Sequence, residues 1–155
     1  DPTVILYIME HEEIDPKSMS HIIHKESGFK GITGISSDLR DVEEAAVQGN
    51  SKARLALDIL FYGIRKHICA YAGAMGGIDA IVFTAGIGEN SITVRKMVCE
   101  GLEFLGAKID LEKNKVRSKE AFINVPDSRV SIQVIPTNEE LVIARDTKEL
   151  AIDKA

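Results

Sequence analysis

Glycine, hydroxyl, amide and carboxylate groups crowd together at Thr84-Ala85-Gly86-Ile87-Gly88-Glu89-Asn90-Ser91, directly after the apolar run Ala80–Phe83. An uninterrupted apolar run of this length reads as a strand buried on both faces, as in a parallel sheet covered by helices. The two glycines permit a sharp turn and close backbone approach by a ligand, and Asn90 or Ser91 can cap the helix that follows. Such a junction presents free backbone N–H groups at the carboxyl end of a sheet, where open α/β folds bind nucleotides and phosphates. The spacing matches neither GxGxxG nor a P-loop, and an ordinary strand-to-helix turn would use the same glycines.

Two other places carry candidate chemistry. In Ser36-Ser37-Asp38-Leu39-Arg40-Asp41 either serine can cap a helix, and the acids suit its first turns. Arg40 does not suit them, because the helix dipole disfavours a cation there; beside a helix start it makes an anion or ribose clamp. In Pro136-Thr137-Asn138-Glu139-Glu140, Thr137 and Glu140 have capping-box spacing, which leaves Glu139 free in the first turn. A carboxylate so placed can hold Mg²⁺ through one oxygen and several waters. Glu89 reads as a holder of its turn through backbone hydrogen bonds, or as a contact at the ligand's edge. His21 and His24 have no third ligand in sight and read as a solvated helix edge. Cys69 and Cys99 lack metal-type spacing and read as reduced thiols inside helices.

The elements that must position these groups follow from periodicity. Asp1-Pro2 and Asp15-Pro16 open helices, with Val4, Ile5, Tyr7 and Ile8 giving the first an apolar face and Met19, Ile22 and Ile23 facing inward on the second. Residues 28–34 read as a loop. The longest helix runs from Lys52 to about Ala74, with Ala56, Ile59, Leu60, Gly63, Ile64, His67, Ile68 and Tyr71 on its packing stripe. An amphipathic helix is expected over 92–105, a charged surface excursion over 108–120, strands over 121–125 and 130–135, and a last helix to about Ala151. Its 155 residues suffice for one domain with a real core, and 45% hydrophobic with 28% charged residues is ordinary globular composition. A net charge of −5 with no basic cluster argues against a nucleic-acid surface, and no apolar run reaches a membrane span or forms a signal peptide. These features point to a cytoplasmic protein. The opening Asp-Pro, without Met, reads as a cut from a longer chain.

Taken whole, the string GGIDAIVFTAGIGENSITVR at 76–95 closely resembles the acetate kinase family, of the actin, sugar-kinase and heat-shock ATPase superfamily. GITGISSDLRDVEEAA at 31–46 and VIPTNEELVIARDT at 134–147 agree with it in order and approximate spacing. The resemblance runs from Asp1 to about Thr147 and implies an α/β fold. That fold would be part of a ribonuclease-H-like domain, about half helix, with a small mixed or parallel sheet. It implies that residues 1–155 are the C-terminal nucleotide-binding and dimerisation portion of an acetokinase-type enzyme, truncated at its N-terminus. Nucleotide contacts would fall to Asp38, Leu39, Arg40, Gly86, Ile87, Gly88, Glu89 and Asn90, and Mg²⁺ (or Mn²⁺) to Glu139. The implied reaction moves the γ-phosphoryl of ATP reversibly to acetate, giving acetyl phosphate and ADP, in a homodimer. The family's reacting groups lie upstream, so no catalytic residue is assigned and this chain alone is expected not to turn over. A propionate kinase piece, or a folded dimerisation module without nucleotide affinity, is the alternative.

Overall fold

The computed structural model describes residues 1–151. Two compact units divide between Tyr62 and Gly63, inside the longest helix.

The first unit is helical. Helix α1 spans Thr3–His11, α2 Pro16–His21, a π-turn Ile22–Glu26, α3 Gly28–Thr33 and α4 Leu39–Val47. Asp15 caps α2 as anticipated, accepting from the amides of Lys17 and Ser18, with Pro16 in the first turn. The loop expected at 28–34 is instead α3, closed by Gly34 in the left-handed conformation at φ 70°. Met19 is buried, but Ile22 and Ile23 are exposed, as is the whole apolar face of α1. The His21 and His24 edge is solvated: His24 Nδ1–H donates to the Ser20 carbonyl at 2.8 Å, and His21 Nε2 lies 3.4 Å from Glu26 Oε1.

Helix α5, Ser51–Met75, matches the expected bounds within one residue at either end and is about 37 Å long at about 1.5 Å per residue. Its buried face is the expected stripe only in part: Ala56 is buried and Leu60, Gly63, Ile64 and Ile68 are half-buried, but the most buried residues lie to one side. Ala53, Ala56, Leu57, Phe61 and Ala72 are buried, whereas Ile59 and Tyr71 are exposed and His67 Nδ1–H donates to the Gly63 carbonyl. The bulky i, i+4 pair Leu57 and Phe61 fixes the orientation, and the small residues follow it.

The second unit contains a three-stranded mixed sheet in the order β1-β3-β2. Strand β1 (Ala80–Phe83) runs parallel to β3 (Ser131–Val134), with Ala80 opposite Ser131 and Phe83 opposite Val134. Strand β2 (Ala121–Phe122) runs antiparallel to β3. Strand β1 is not buried on both faces: Ile81 and Phe83 are, while Ala80 and Val82 are exposed. The sheet thus shows the alternation of a half-covered surface. Its buried side carries Ile81, Phe83, Ile132 and Val134, and the unit's core adds Ile123, Val130, Ala107, Val94, Val98 and Leu102. Each such large side chain contributes about 1.5–3 kcal/mol.

Between β1 and β2 lie α6 (Ala85–Asn90), α7 (Ile92–Cys99) and two short 3₁₀ turns, Glu103–Leu105 and Lys113–Lys115. The helix expected over 92–105 stops at Cys99, and only a 3₁₀ turn follows before Gly106, left-handed at φ 87°. Helix α8, Glu139–Ala151, closes the described chain and has no buried residue. Among the described residues no helix is long and apolar enough to cross a membrane.

Candidate functional site

The junction after β1 is tighter than a turn. Thr84 is fully extended, Ala85 is left-handed at φ 57°, and the chain coils at once into α6. The glycine motif is therefore itself helical, and the helix expected after it is a second one, α7. Of the two candidate caps, Ser91 serves: its Oγ accepts from the Val94 amide at 3.1 Å. Asn90 does other work, donating Nδ2–H to the Gly86 carbonyl and accepting at Oδ1 from the Ser118 hydroxyl at 2.8 Å.

The two glycines differ. A Cβ on Gly88 would stand 3.1 Å from the Phe83 carbonyl carbon, so glycine there lets α6 lie against the end of β1. A Cβ on Gly86 would meet nothing within 4 Å. That position faces open space.

Beneath the loop lies Arg95, with no exposed surface. Its Nη1 donates to the carbonyls of Gly88 and Glu89 at 2.8 and 2.9 Å. Nη2 donates to the carbonyls of Asn114 and Val116, each at 2.7 Å, and Nε to Asn114 Oδ1 at 2.7 Å. All five guanidinium N–H groups are used, and every acceptor is neutral. Burial, with the charge of Arg117 second, lowers its pKa from the ordinary arginine value, while Cys99 acts weakly the other way. Sequence reasoning gave Arg95 no role. The available signal was an arginine on the apolar stripe of Val94, Val98 and Cys99.

Glu89 is buried, and its Oε1 accepts from both the amide (2.7 Å) and the hydroxyl (3.0 Å) of Thr137. The expected hydrogen bonds to backbone therefore exist, but they reach across to another motif and do not close the turn. This also displaces the capping box. With Thr137 engaged, Asn138 caps α8, its Oδ1 accepting from the Leu141 amide at 3.0 Å. Glu139 and Glu140 stand exposed in the first turn of α8. Ala85, Gly86, Glu89, Thr137, Asn138, Glu139 and Glu140 line one open groove of about 470 Å³. The remaining loop candidate, Ile87, is exposed.

Among the described residues no group of three or more His, Cys, Asp or Glu side chains could enclose a metal ion. An exposed carboxylate lining the groove is nevertheless the donor Mg²⁺ uses, since that ion keeps most of its waters and takes one or two protein oxygens. Glu139 fits this description.

In the first unit Asp38, neither serine, caps α4: its Oδ1 accepts from the Arg40 amide at 2.8 Å, and Ser36 Oγ accepts from the Asp38 amide. Arg40 folds back on the cap, with Nε 3.1 Å from Asp38 Oδ1 and Nη2 2.6 Å from Oδ2. The Arg40 hydrogen bonds hold the Asp38 carboxyl down at about 2. The cation that the helix dipole disfavours is thus paired with the acid that caps the helix. The Arg40 guanidinium is otherwise in solvent, and Leu39 is buried.

Known proteins resemble this chain in sequence and in fold. The Acetokinase family profile matches residues 1–145. The chain is 56% identical over 154 residues to an acetate kinase of Carboxydothermus hydrogenoformans, covering 99% of this chain and 38% of that protein. The crystal structure of Porphyromonas gingivalis acetate kinase superposes with a TM-score of 0.87 at 46% identity, over 95% of this chain and 37% of that one. A propionate kinase from Francisella tularensis gives 0.83 at 38% identity, over 94% and 37%. The chain thus spans little more than a third of the length of these relatives. Their likeness confirms the expected fold, an α/β part of an actin-type ATPase domain with a small mixed sheet. On the profile match, sustained identity and shared fold, this chain belongs to the acetokinase family.

Proposed function

We propose that this chain is the nucleotide- and metal-binding portion of an acetate kinase, the parent enzyme moving the γ-phosphoryl of ATP reversibly to acetate. The observation that carries the reading is the groove of Gly86, Glu89 and Glu139, two motifs distant in sequence lining one opening in a chain of this family. The bond from phosphorus to the β,γ-bridging oxygen of ATP breaks and one to an acetate oxygen forms, with no net proton transfer. Such transfer depends on positioning and on charge stabilisation.

In this reading the open face at Gly86 admits the nucleotide, with Ile87, Gly88, Glu89 and Asn90 shaping the loop around it. Asp38, Leu39 and Arg40 form the second nucleotide contact; the exposed Arg40 guanidinium supplies charge, and Leu39 anchors the segment. Glu139 holds Mg²⁺ (or Mn²⁺) at the groove; when bound, the ion offsets charge on the phosphates. The parent enzyme is read as a cytoplasmic homodimer, and this chain alone as inactive. The Francisella neighbour favours one second reading, propionate in place of acetate.

Calorimetric titration of this chain with ADP and Mg²⁺, beside an Arg40→Ala, Gly88→Val double variant, tests the proposal. Saturable binding abolished in the variant supports it. Absence of both heat and thermal stabilisation at millimolar ADP overturns nucleotide binding by this chain and favours the dimerisation module. Acetyl hydroxamate formation by the pure chain would overturn its inactivity.

A further inference from the structure

Helix α8 carries Glu139 yet buries none of its residues, so apolar packing does little to hold that acid in place. Polar anchors precede the helix instead. The Ile135 amide donates to the Phe83 carbonyl at 2.9 Å, at the end of the sheet. Two residues later the amide and hydroxyl of Thr137 both donate to the buried Glu89 carboxylate. Glu89 belongs to α6, whose carbonyls at 88 and 89 are held from below by Arg95. A continuous set of bonds therefore runs from Arg95 through α6 and Glu89 to Thr137, and ends two residues short of Glu139.

We infer that Glu89 is a positioning residue that latches the start of α8 to the glycine loop and so couples metal binding at Glu139 to nucleotide binding at the loop. The inference rests on the reading of this groove as the nucleotide and metal site. With the latch closed, a nucleotide on α6 and a cation at Glu139 meet at a fixed separation, and binding of one preorganises the other. With it open, α8 still forms, because Asn138 caps it independently, but its first turn loses its reference to the loop. Bulk stability depends little on Thr137, whose side chain is exposed apart from this contact.

Calorimetry of this chain with ADP alone and with ADP plus Mn²⁺ reads the coupling, using Thr137→Ser, Thr137→Val and Glu89→Ala variants. Thr137→Val loses one of the two bonds, and the affinity gain from Mn²⁺ falls about fivefold, the worth of about one hydrogen bond. Glu89→Ala loses both, and the gain falls about tenfold or more. Thr137→Ser restores it, and metal-free ADP affinity of the two Thr137 variants stays within about twofold. Amide hydrogen exchange without ligand gives a second readout: the Thr137 amide is protected in the unsubstituted chain and exchanges faster in Glu89→Ala. An unchanged Mn²⁺ gain in Thr137→Val and Glu89→Ala, or equal losses with and without metal, overturns the coupling alone. Failure of the unsubstituted chain to bind ADP under either condition overturns the nucleotide reading and the coupling with it.

Discussion

Arg95 and Asn114 interlock: Nε of the arginine donates to Oδ1 of the asparagine at 2.7 Å, Nη2 donates to its carbonyl, and Asn114 Nδ2 donates to the Ile92 carbonyl at 2.9 Å. Both residues are buried, so neither can exchange these bonds for water. Arg95→Met strips the Arg95 donors from three carbonyl oxygens and one amide oxygen, leaves the Glu89 carbonyl with the Ser118 amide at 3.4 Å, and is expected to destabilise the fold by about 3–5 kcal/mol. Arg95→Lys rescues little, because three donors cannot reproduce a planar fork of five. Urea unfolding of each variant measures the loss.

Gly86 and Gly88 are expected to separate stability from binding. Gly88→Ala pushes a methyl group against the end of β1 and lowers stability by about 1–3 kcal/mol. Gly86→Ala meets open space, and stability stays within about 1 kcal/mol of the original or rises. ADP affinity nonetheless falls in both. Thermal melts and calorimetry on the pair show whether the two effects divide this way.

The Asp38 carboxyl is held at about 2 by Arg40, below the ordinary value of 3.8. A depressed carboxylate pKa means that its stabilising contribution is complete above about pH 5 and is lost as pH falls from there through about 2. Asp38→Asn is expected to flatten this part of the acid limb. Melting temperatures of both proteins between pH 2 and pH 6 test it.

Burial pushes the Cys99 thiol up to about 12, with Glu103 adding to the shift and Arg95 opposing it. It therefore remains a protonated thiol at pH 8 and inert to an aromatic disulfide reagent while the chain is folded. Cys69 is only half-buried. The native protein is expected to release one equivalent of chromophore promptly and a second on unfolding in guanidinium chloride.

Features written by local punctuation were legible in the sequence. Asp15-Pro16 gave the start of α2, the span from Lys52 to about Ala74 gave α5 within one residue at either end, and the Ala80–Phe83 run gave β1. The three motifs identified the family, and two of them line one groove. What escaped depends on partners outside each motif, some near in the chain and one far along it. Two glycines in six residues argued against a helix at 85–90, yet Arg95 holds its carbonyls from below. Thr137 had good capping spacing, but Glu89 takes the Thr137 amide that a capping box would give to Glu140, and Asn138 takes over the cap. The face of α5 was read only in part, because one-residue rotations of an apolar stripe differ little in pattern, and the buried Leu57 and Phe61 lie beside the expected stripe.

The strand order bears on how this chain is made. Strand β3 is both the central strand and the last to leave the ribosome, and Ala80 must wait for Ser131. At about 5–20 residues per second the first strand stays unpaired for about 3–10 s of synthesis. During that interval Ile81, Val82 and Phe83 are an adhesive segment whose β3-facing edge is open. Slow codons between 84 and 130 would lengthen this exposure, and a ribosome stalled there would release a product whose sheet has lost its centre.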